Sequence, residues 1–282
     1  MSVHAHPDDE SSKGAATMAR YVNEGHRVRV VTCTGGERGS VLNPRLMGDP
    51  EVEGHLPEVR RREMAQAARA LGVEHVWLGF VDSGLPEGEP LPPLPEGCFA
   101  MESMEVAVPP LVAQMREFRP HVLVTYNEQG GYPHPDHLMT HAVTMSAVDA
   151  AADALYRPEL GEPWQVAKVY YDVTFGRGRL EALHSAIAEA GLDSPFTASL
   201  ERRERDERTP TARIECANWF DARDVALRAH ATQIDPDGFF FAVPRDIEKR
   251  AWPYEEFELA RSTVPTRERE DNLFEGIDPA AP

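Results

Sequence analysis

Short β-branched segments alternate with longer segments of helical periodicity along this chain of 282 residues. In chain order the pattern predicts strand 3–5, helix 11–24, strand 26–34, helix 58–71, strand 73–80, helix 106–118 and strand 121–126. Strands that alternate with helices form a mostly parallel sheet with helices packed on both faces. The sequence therefore predicts an α/β fold of the doubly wound, Rossmann-like type.

The second half of the chain continues with fewer and less regular elements. In chain order we predict a strand within 165–175, a helix at 178–190, a strand at 213–216, a helix at about 219–232 and a frayed tail after residue 264. These elements indicate a smaller C-terminal α+β portion. We expect residues 1–175 to form the core of the fold, and residues 176–282 to pack with that core as one unit.

The net charge and the cysteine pattern argue against several classes of protein. With 29 Lys and Arg against 47 Asp and Glu, the formal net charge is −18, which disfavours a nucleic-acid partner. The mean hydropathy is −0.44, and no apolar run approaches the roughly 20 residues that cross a bilayer. The three cysteines form no CxxC pair, so neither a disulfide framework nor a zinc knuckle is expected. We predict a cytoplasmic protein with no membrane partner and no secretory leader.

Two short motifs repeat the same combination of histidine, proline and aspartate. The first is HAHPDDE, from His4 to Glu10, and the second is YPHPDH, from Tyr132 to His137. Each follows a predicted strand and precedes a predicted helix, and the carboxyl ends of parallel strands form the ligand crevice of an open sheet. Catalytic zinc takes three His or carboxylate ligands and keeps one position open. Although one such motif alone could be an ordinary helix N-cap, two at equivalent strand ends predict a metal site.

Three other histidines leave alternatives open. His141 lies four residues after His137 on the same helical face, and it is a rival ligand. His4 lies two residues before His6 and is more simply read as a buried strand residue. His230 fits a substrate-pocket role and a packing role equally well. Because only a few residues precede the first motif, we also expect a short first strand.

Several motifs together resemble one known family. They are AHPDDE at 5–10, TGGERG at 34–39, Arg60-x-x-Glu63, Asp82-Ser83-Gly84, HPDH at 134–137 and HATQ at 230–233. This combination resembles the zinc-dependent de-N-acetylases, a family that includes N-acetylglucosaminyl-phosphatidylinositol deacetylases and the mycothiol deacetylases and amidases. The resemblance covers most of the chain. Within the family, SSKG at 11–14, GERGSVLNP and HATQIDP are most similar to the branch that acts on mycothiol S-conjugates.

The resemblance implies a metal-ligand set and a general base. His6, Asp9 and His137 would ligate the metal, which would be Zn²⁺, with Fe²⁺ as the alternative. Asp8 would take a proton from the attacking water. Asp136 would be hydrogen-bonded to a ligand histidine and fix its tautomer.

The resemblance also implies residues that contact the substrate. His134 would stabilise the tetrahedral intermediate as an imidazolium and help to protonate the leaving amine, while Tyr132 would help to polarise the carbonyl. Five further residues would bind the substrate: Lys13, Glu37, Arg60, Asp82 and His230. Among these, Lys13 matches a position associated with the amidase branch of the family.

The chemistry of amide hydrolysis agrees with this assignment. The reaction needs a polarised carbonyl, an activated water and a proton donor for the leaving amine. Zinc polarises the carbonyl and lowers the pKa of water towards ~7, and an adjacent carboxylate accepts the proton. The residues therefore predict a metal-dependent amidohydrolase. We expect residues 1–175 to be its metal-binding catalytic core and residues 176–282 to complete the substrate pocket.

The resemblance extends the prediction to a substrate. We expect a small-molecule thiol conjugate of glucosaminyl-inositol, cleaved to a mercapturic-acid-type product and glucosaminyl-inositol in a detoxification step. The first alternative is a deacetylase of N-acetylglucosaminyl-inositol, and the second is a non-catalytic metal- or sugar-binding protein. The sequence leaves the oligomeric state open between a monomer and a homo-oligomer.

Overall fold

A mixed seven-stranded sheet lies at the centre of the computed structural model, which describes residues 1–202 and 209–278. Its strands are β1 (Ser2–His4), β2 (Arg29–Thr34), β3 (Glu74–Phe80), β4 (Val122–Thr125), β5 (Lys168–Asp172), β6 (Ala212–Glu215) and β7 (Tyr254–Ser262). The spatial order is β3-β2-β1-β4-β5-β7-β6. Strands β1 to β5 run parallel, whereas β7 is antiparallel to both β5 and β6. The predicted α/β fold with a mostly parallel sheet is confirmed.

Helices cover both faces of this sheet. They are α1 (Asp9–Ser12), α2 (Ala15–Asn23), α3 (Pro50–Glu53), α4 (Leu56–Leu71), α5 (Met104–Phe118), α6 (Pro135–Ala152), α7 (Arg177–Glu189), α8 (Thr197–Arg202), α9 (Phe220–Ala229) and α10 (Arg245–Ala251). Neighbouring residues of β2 point to opposite faces, as a strand requires. Val31 belongs to the core with α5 and α6, and Val30 to the core with α2, α4 and α9. Among the described residues, no helix is long and apolar enough to cross a membrane.

The sheet positions the two motifs at one point. From β1 the chain adds β2 and β3 on one side, and β4 and β5 on the other. In an open α/β sheet, the reversal of strand order opens a crevice at the carboxyl ends of the two strands concerned. Strand β1 ends at His4 and β4 ends at Thr125. The segments that follow them carry the two motifs, which therefore meet in this crevice.

The first predicted helix is interrupted. Instead of one helix over 11–24, the structure has α1 and α2, separated by Lys13 and Gly14. Gly14 has φ +77°, a left-handed conformation that favours glycine, and Lys13 is extended. The interruption turns the Lys13 ammonium into the crevice, where Nζ lies 2.5 Å from Asp9 Oδ1.

The C-terminal portion is more ordered than the sequence pattern indicates. The pattern does not predict β7, whose glutamates are unusual in a sheet interior. In the structure Glu255 accepts from the Thr17 N–H at the start of α2, and Glu256 pairs with Arg213. The predicted frayed tail is wrong as far as residue 273. Leu273 is buried, and the buried Glu270 binds Lys168 of β5, with 2.5 Å between Oε1 and Nζ.

A buried ionic cluster holds α9 and α10 together. Glu248 Oε2 lies 2.8 Å from Arg223 Nη2 and 2.7 Å from Arg245 Nη1. Burial alone would raise the pKa of Glu248, but Arg223 and the neighbouring arginines lower it to about 2. A carboxyl with a depressed pKa stabilises the fold above its unfolded pKa, and this contribution is lost as the pH falls towards its folded pKa.

We expect Glu248→Gln to lower the free energy of unfolding by about 3 kcal/mol at pH 7, because it leaves buried arginines without their charge partner. The difference from the unmodified protein should shrink as the pH falls from about 4.5 towards 2, where Glu248 itself becomes protonated. Urea denaturation at pH 7 and pH 3 measures both effects. Asp246→Asn removes a fully exposed carboxylate on the same helix and should leave the midpoint unchanged; equal effects of the two substitutions would contradict the prediction.

Candidate metal centre and active site

Three buried side chains at the crevice offer one ligand atom each to a common point. His6 Nδ1 lies 3.5 Å from Asp9 Oδ2, and His137 Nε2 lies 3.4 Å from the same oxygen. The His137 Nδ1 is 2.8 Å from the Gly130 carbonyl and donates to it, so Nε2 carries a lone pair. That nitrogen is buried and has no hydrogen-bond partner among the described residues. Two imidazole nitrogens and a carboxylate are a zinc donor set, and the orphaned Nε2 fits a metal ion.

The second nitrogen of the His6 ring is held by carboxylates. His6 Nε2 lies 3.3 Å from Asp136 Oδ2 and 3.4 Å from Asp82 Oδ1, and this contact leaves Nδ1 free for the metal. Burial would lower the pKa of His6, yet the surrounding carboxylates raise it well above its ordinary value. The structure thus brings Asp136 to a ligand histidine, as the resemblance implies.

A second group of side chains also lies close enough for one ion: His6, Asp82, His134 and Asp136. This group, however, meets the His6 ring at Nε2, whereas Nδ1 is the nitrogen that faces Asp9. Asp136 Oδ2 accepts from the Ser83 N–H at 2.8 Å, and Asp82 Oδ1 accepts from the Gly84 N–H at the same distance. We therefore assign this group to the support of His6.

Asp8 is adjacent to the candidate ligand Asp9, but its carboxylate lies against Arg60. Its backbone has φ +120° and ψ −26°, a conformation that costs a non-glycine residue on the order of 1–3 kcal/mol. Arg60 Nη2 lies 3.3 Å from Asp8 Oδ2 and 2.8 Å from the Pro7 carbonyl. Burial raises the pKa of Asp8, and Arg60 opposes the rise. A carboxylate with a raised pKa is a suitable proton acceptor.

His134 caps the N-terminus of α6 and is neutral. Its Nδ1 accepts from the Asp136 N–H at 3.2 Å, so the ring proton is on Nε2. Burial, reinforced by His6 and His137, lowers the pKa of His134 to about 3. An imidazolium at this position, as the resemblance implies, would therefore depend on the negative charge of a bound intermediate. In the free protein the ring offers a neutral N–H donor.

Tyr132 stands at the mouth of the site, and its side chain is partly exposed. Its ring centroid is 4.6 Å from that of His137 and 6.0 Å from that of His134. Burial raises the pKa of Tyr132 to about 12, so the hydroxyl keeps its proton and can donate it in a hydrogen bond.

The five residues expected to bind substrate divide into two groups. Lys13 lines the crevice, and Glu37 is half-buried, with Oε1 accepting from the Asp82 N–H at 2.9 Å. The other three are buried, and each makes hydrogen bonds within the protein: Arg60, Asp82 and His230. Arg60 Nε and His230 Nδ1 have no hydrogen-bond partner among the described residues. His230 is the clearest departure from expectation because it is fully buried and its Nε2 bonds Glu10 Oε1 at 2.7 Å. Of the two roles expected for His230, in the substrate pocket or in packing, this geometry is consistent with packing.

The sequence analysis does not single out two residues of the site: Tyr126, which contacts the candidate ligand Asp9, and Glu10, which contacts Asp8. The Tyr126 hydroxyl donates to Asp9 Oδ2 at 2.7 Å, and its ring stacks on His137 at 4.3 Å between centroids. Tyr126 directly follows β4, a position that could have identified it. Glu10 accepts from the Asp8 N–H at 2.9 Å. The rival ligand His141 instead has Nδ1 at 3.0 Å from the Tyr126 carbonyl.

An open cleft of about 250 Å³ leads from the metal site to the surface. Asp8, Asp9 and Lys13 lie on what we call its floor, and four further polar side chains line it: Ser12, Asp172, Thr174 and Gln233. Its walls are largely apolar and come from separate parts of the chain: Leu42, Tyr132, Phe175, Ile234 and Phe240. Two of these wall residues are among the exposed large hydrophobic residues of the protein, Leu42 at 57% and Tyr132 at 46%.

Residues 1–148, which include every candidate ligand and both motifs, match the family described as "PIG-L: GlcNAc-PI de-N-acetylase". The chain belongs to this PIG-L family. It is 60% identical to a mycothiol S-conjugate amidase of Streptomyces coelicolor, over 98% of this chain and 96% of that one. It is 42% identical to a 1D-myo-inositol 2-acetamido-2-deoxy-α-D-glucopyranoside deacetylase of Geodermatophilus obscurus, with the same coverage of both chains.

Two solved structures show how widely the PIG-L fold occurs. An N,N'-diacetylchitobiose deacetylase from Pyrococcus horikoshii superposes with a TM-score of 0.61 at 18% identity, covering 92% of this chain and 82% of that one. GalB, the 4-carboxy-2-hydroxymuconate hydratase from Pseudomonas putida, superposes with a TM-score of 0.63 at 16% identity, covering 94% and 97%. Because a hydratase and a deacetylase share this fold, the fold alone does not determine the reaction.

Proposed function

We propose that this protein is a metal-dependent amidase that hydrolyses the amide of mycothiol S-conjugates, with Zn²⁺ held by His6, Asp9 and His137. The 60% identity to a mycothiol S-conjugate amidase, against 42% for a deacetylase, supports the amidase branch. The observation that carries the proposal is the largely apolar cleft that reaches Asp9 and Asp8. Iron(II) is the alternative metal, because nitrogen and carboxylate ligands accept both ions.

The bound metal would polarise the amide carbonyl and lower the pKa of the attacking water. Asp8, on the cleft floor, takes the proton that this water loses, and its raised pKa suits that task. Once protonated, Asp8 can pass the proton to the nitrogen of the leaving amine. Arg60 holds the carboxylate in place through the 3.3 Å contact. The hydroxyl of the water thereby becomes part of the carboxylic acid product, and its proton becomes part of the amine product.

Two neutral donors face the charge that develops on the carbonyl oxygen. The His134 ring presents its Nε2–H because Nδ1 is occupied by the Asp136 N–H. The Tyr132 hydroxyl stays protonated. Fixed donors of this kind stabilise a tetrahedral intermediate without needing a charge of their own.

The apolar walls of the cleft distinguish the amidase reaction from the deacetylase reaction. An acetyl group fills only a fraction of a 250 Å³ cleft, whereas an S-substituted acetylcysteine extends along it. Leu42, Phe175 and Phe240 would then cover the sulfur substituent. Lys13, bonded to Asp9 on the floor, lies where the polar part of the acyl group would pass.

Side-by-side turnover of a mycothiol S-conjugate and N-acetylglucosaminyl-inositol on zinc-loaded protein tests the proposal. We expect kcat/KM to favour the conjugate. A preference for the acetyl compound would move the protein to the deacetylase branch with the same catalytic residues. No turnover of either substrate by protein with confirmed zinc would refute the amidase and leave a binding role.

Removal of one aromatic wall should reduce the preference for apolar sulfur substituents. We expect Phe240→Ala to lower kcat/KM for an S-benzyl conjugate by roughly 10-fold more than for an S-methyl conjugate, because the lost contact is worth about 1–3 kcal/mol. Competition between the two conjugates in one reaction gives this ratio directly. Phe241→Ala is the control, since that ring packs 3.9 Å from the Arg228 guanidinium. An unchanged ratio in Phe240→Ala would place the substituent elsewhere.

A further inference from the structure

Glu10 and His230 form a buried pair directly behind Asp8. Neither side chain is exposed, and His230 Nε2 lies 2.7 Å from Glu10 Oε1. The other Glu10 oxygen, Oε2, accepts from the backbone N–H of Asp8 at 2.9 Å. The Ser11 hydroxyl also donates to Oε1. The contacts of Glu10 therefore tie the turn that carries Asp8 to a residue 220 positions further along the chain.

Asp8 needs this support because of its backbone conformation. Among the described non-glycine residues, Arg119 and Arg157 also have positive φ, but their values of 57° and 38° are much smaller than the 120° of Asp8. An L-residue keeps such a conformation only where its surroundings fix it from several sides. Arg60 holds the carboxylate side of this turn, with Nη2 at 2.8 Å from the Pro7 carbonyl. Glu10 holds the N–H side.

We propose that Glu10 and His230 are positioning residues for Asp8: they keep its strained backbone in place so that its carboxylate faces the cleft while Asp9 ligates the metal. This inference rests on the proposed function, in which Asp8 takes a proton from water. Asp8 and Asp9 are adjacent in sequence but have different tasks, so their carboxylates must point in different directions. The backbone of Asp8, with φ +120°, directs the two side chains apart. His230 follows α9, so the C-terminal portion would support Asp8 as well as line the cleft.

Substitution of Glu10 tests this role through kcat. We expect Glu10→Ala to lower kcat about 100-fold, the size of effect produced by a ~1 Å displacement of a reacting group. KM should change less than twofold, and zinc content should stay near one per chain. Glu10→Gln should recover most of the activity, because an amide oxygen can still accept from the Asp8 N–H. His230→Gln, which keeps Glu10 but removes its ring partner, should give a smaller loss of kcat in the same direction.

Two measurements separate positioning from general stability. In an Asp8→Asn background, Glu10→Ala should cause no further loss of kcat, since the group that it positions is gone. The control is Glu270→Gln, which breaks the buried Lys168–Glu270 pair at the start of β5; it should lower Tm but leave kcat unchanged. Equal losses from Glu10→Ala in both backgrounds would overturn the proposal.

A crystal structure of metal-free Glu10→Ala gives a readout that does not depend on activity. We expect φ of Asp8 to relax to a negative value, and a retained φ near 120° would overturn the proposal. The two proposals can therefore fail separately. Absent turnover in the unmodified protein would refute the amidase, whereas the Asp8 backbone would still test the role of Glu10.

Discussion

Asp8→Asn is expected to lower kcat by about 10²–10⁴-fold while the protein retains its zinc, because the substitution removes a proton acceptor and leaves every ligand in place. The contacts that hold the strained turn, from the Asp8 N–H to Glu10 and from Arg60 to the Pro7 carbonyl, do not use the Asp8 side chain, so the turn should persist. The amide oxygen can still accept from Arg60, whose Nη2 lies 3.3 Å from the present carboxylate. Steady-state kinetics and elemental analysis of the same preparation measure both quantities.

The matched variant is Asp9→Asn, in the next residue of the same turn. It weakens a ligand that Lys13, Tyr126 and both ligand histidines contact, so it should lose zinc itself. Burial would raise the pKa of Asp9, but Lys13 and His137 hold it well below its ordinary value, in the form that binds a cation. Equal zinc loss in the two variants would contradict the division of labour between these neighbouring aspartates.

The second large effect is expected on stabilisation by zinc. With free zinc at about 1,000 times its Kd, the unmodified protein should gain about 4 kcal/mol in the free energy of unfolding, and a chelator should reverse the gain. His137→Ala removes the orphaned Nε2 and should abolish most of this gain. Thermal denaturation with and without zinc measures it for each variant.

Two further variants test whether the stabilisation by zinc is specific to the proposed ligands. Tyr126→Phe removes only the hydroxyl that donates to Asp9 Oδ2, so zinc affinity should fall about 10–100-fold, less than in His137→Ala. His121→Asn removes a histidine that lies against Trp164, away from the crevice, and should leave the zinc effect unchanged. If His137→Ala gained as much stability from zinc as the unmodified protein, the proposed ligand set would be wrong.

Local patterns predicted the elements that place the site. Short strand-like segments in the sequence predict β1 to β6. Each of the two motifs lies between a predicted strand and a predicted helix, which places it at a strand end. The order of strands puts those ends side by side, which the spacing of the motifs alone does not specify. Strand β7 escaped prediction because partners distant in sequence, such as Arg213 for Glu256, neutralise its charges.

The roles of single residues depended on which neighbours they meet. His230 has no local signal that separates packing from binding, because its partner Glu10 lies near the other end of the chain. Arg60 was expected at the substrate, yet its guanidinium binds the Gly36 and Pro7 carbonyls. Sequence motifs identified the residues of the site, whereas long-range contacts determine which of them face the cleft.

The place of β7 in the sheet has a consequence for how the protein is made. Residues 254–262 form the last strand among the described residues, yet they take an interior position between β5 and β6. Until they emerge, the edge of β5 has unpaired backbone groups, and such edges recruit other chains. Ribosome-bound chains that stop before residue 254 should therefore hold an incomplete sheet that depends on chaperones. The strands that place the crevice, β1 and β4, are therefore synthesised well before the strand that completes the sheet beside them.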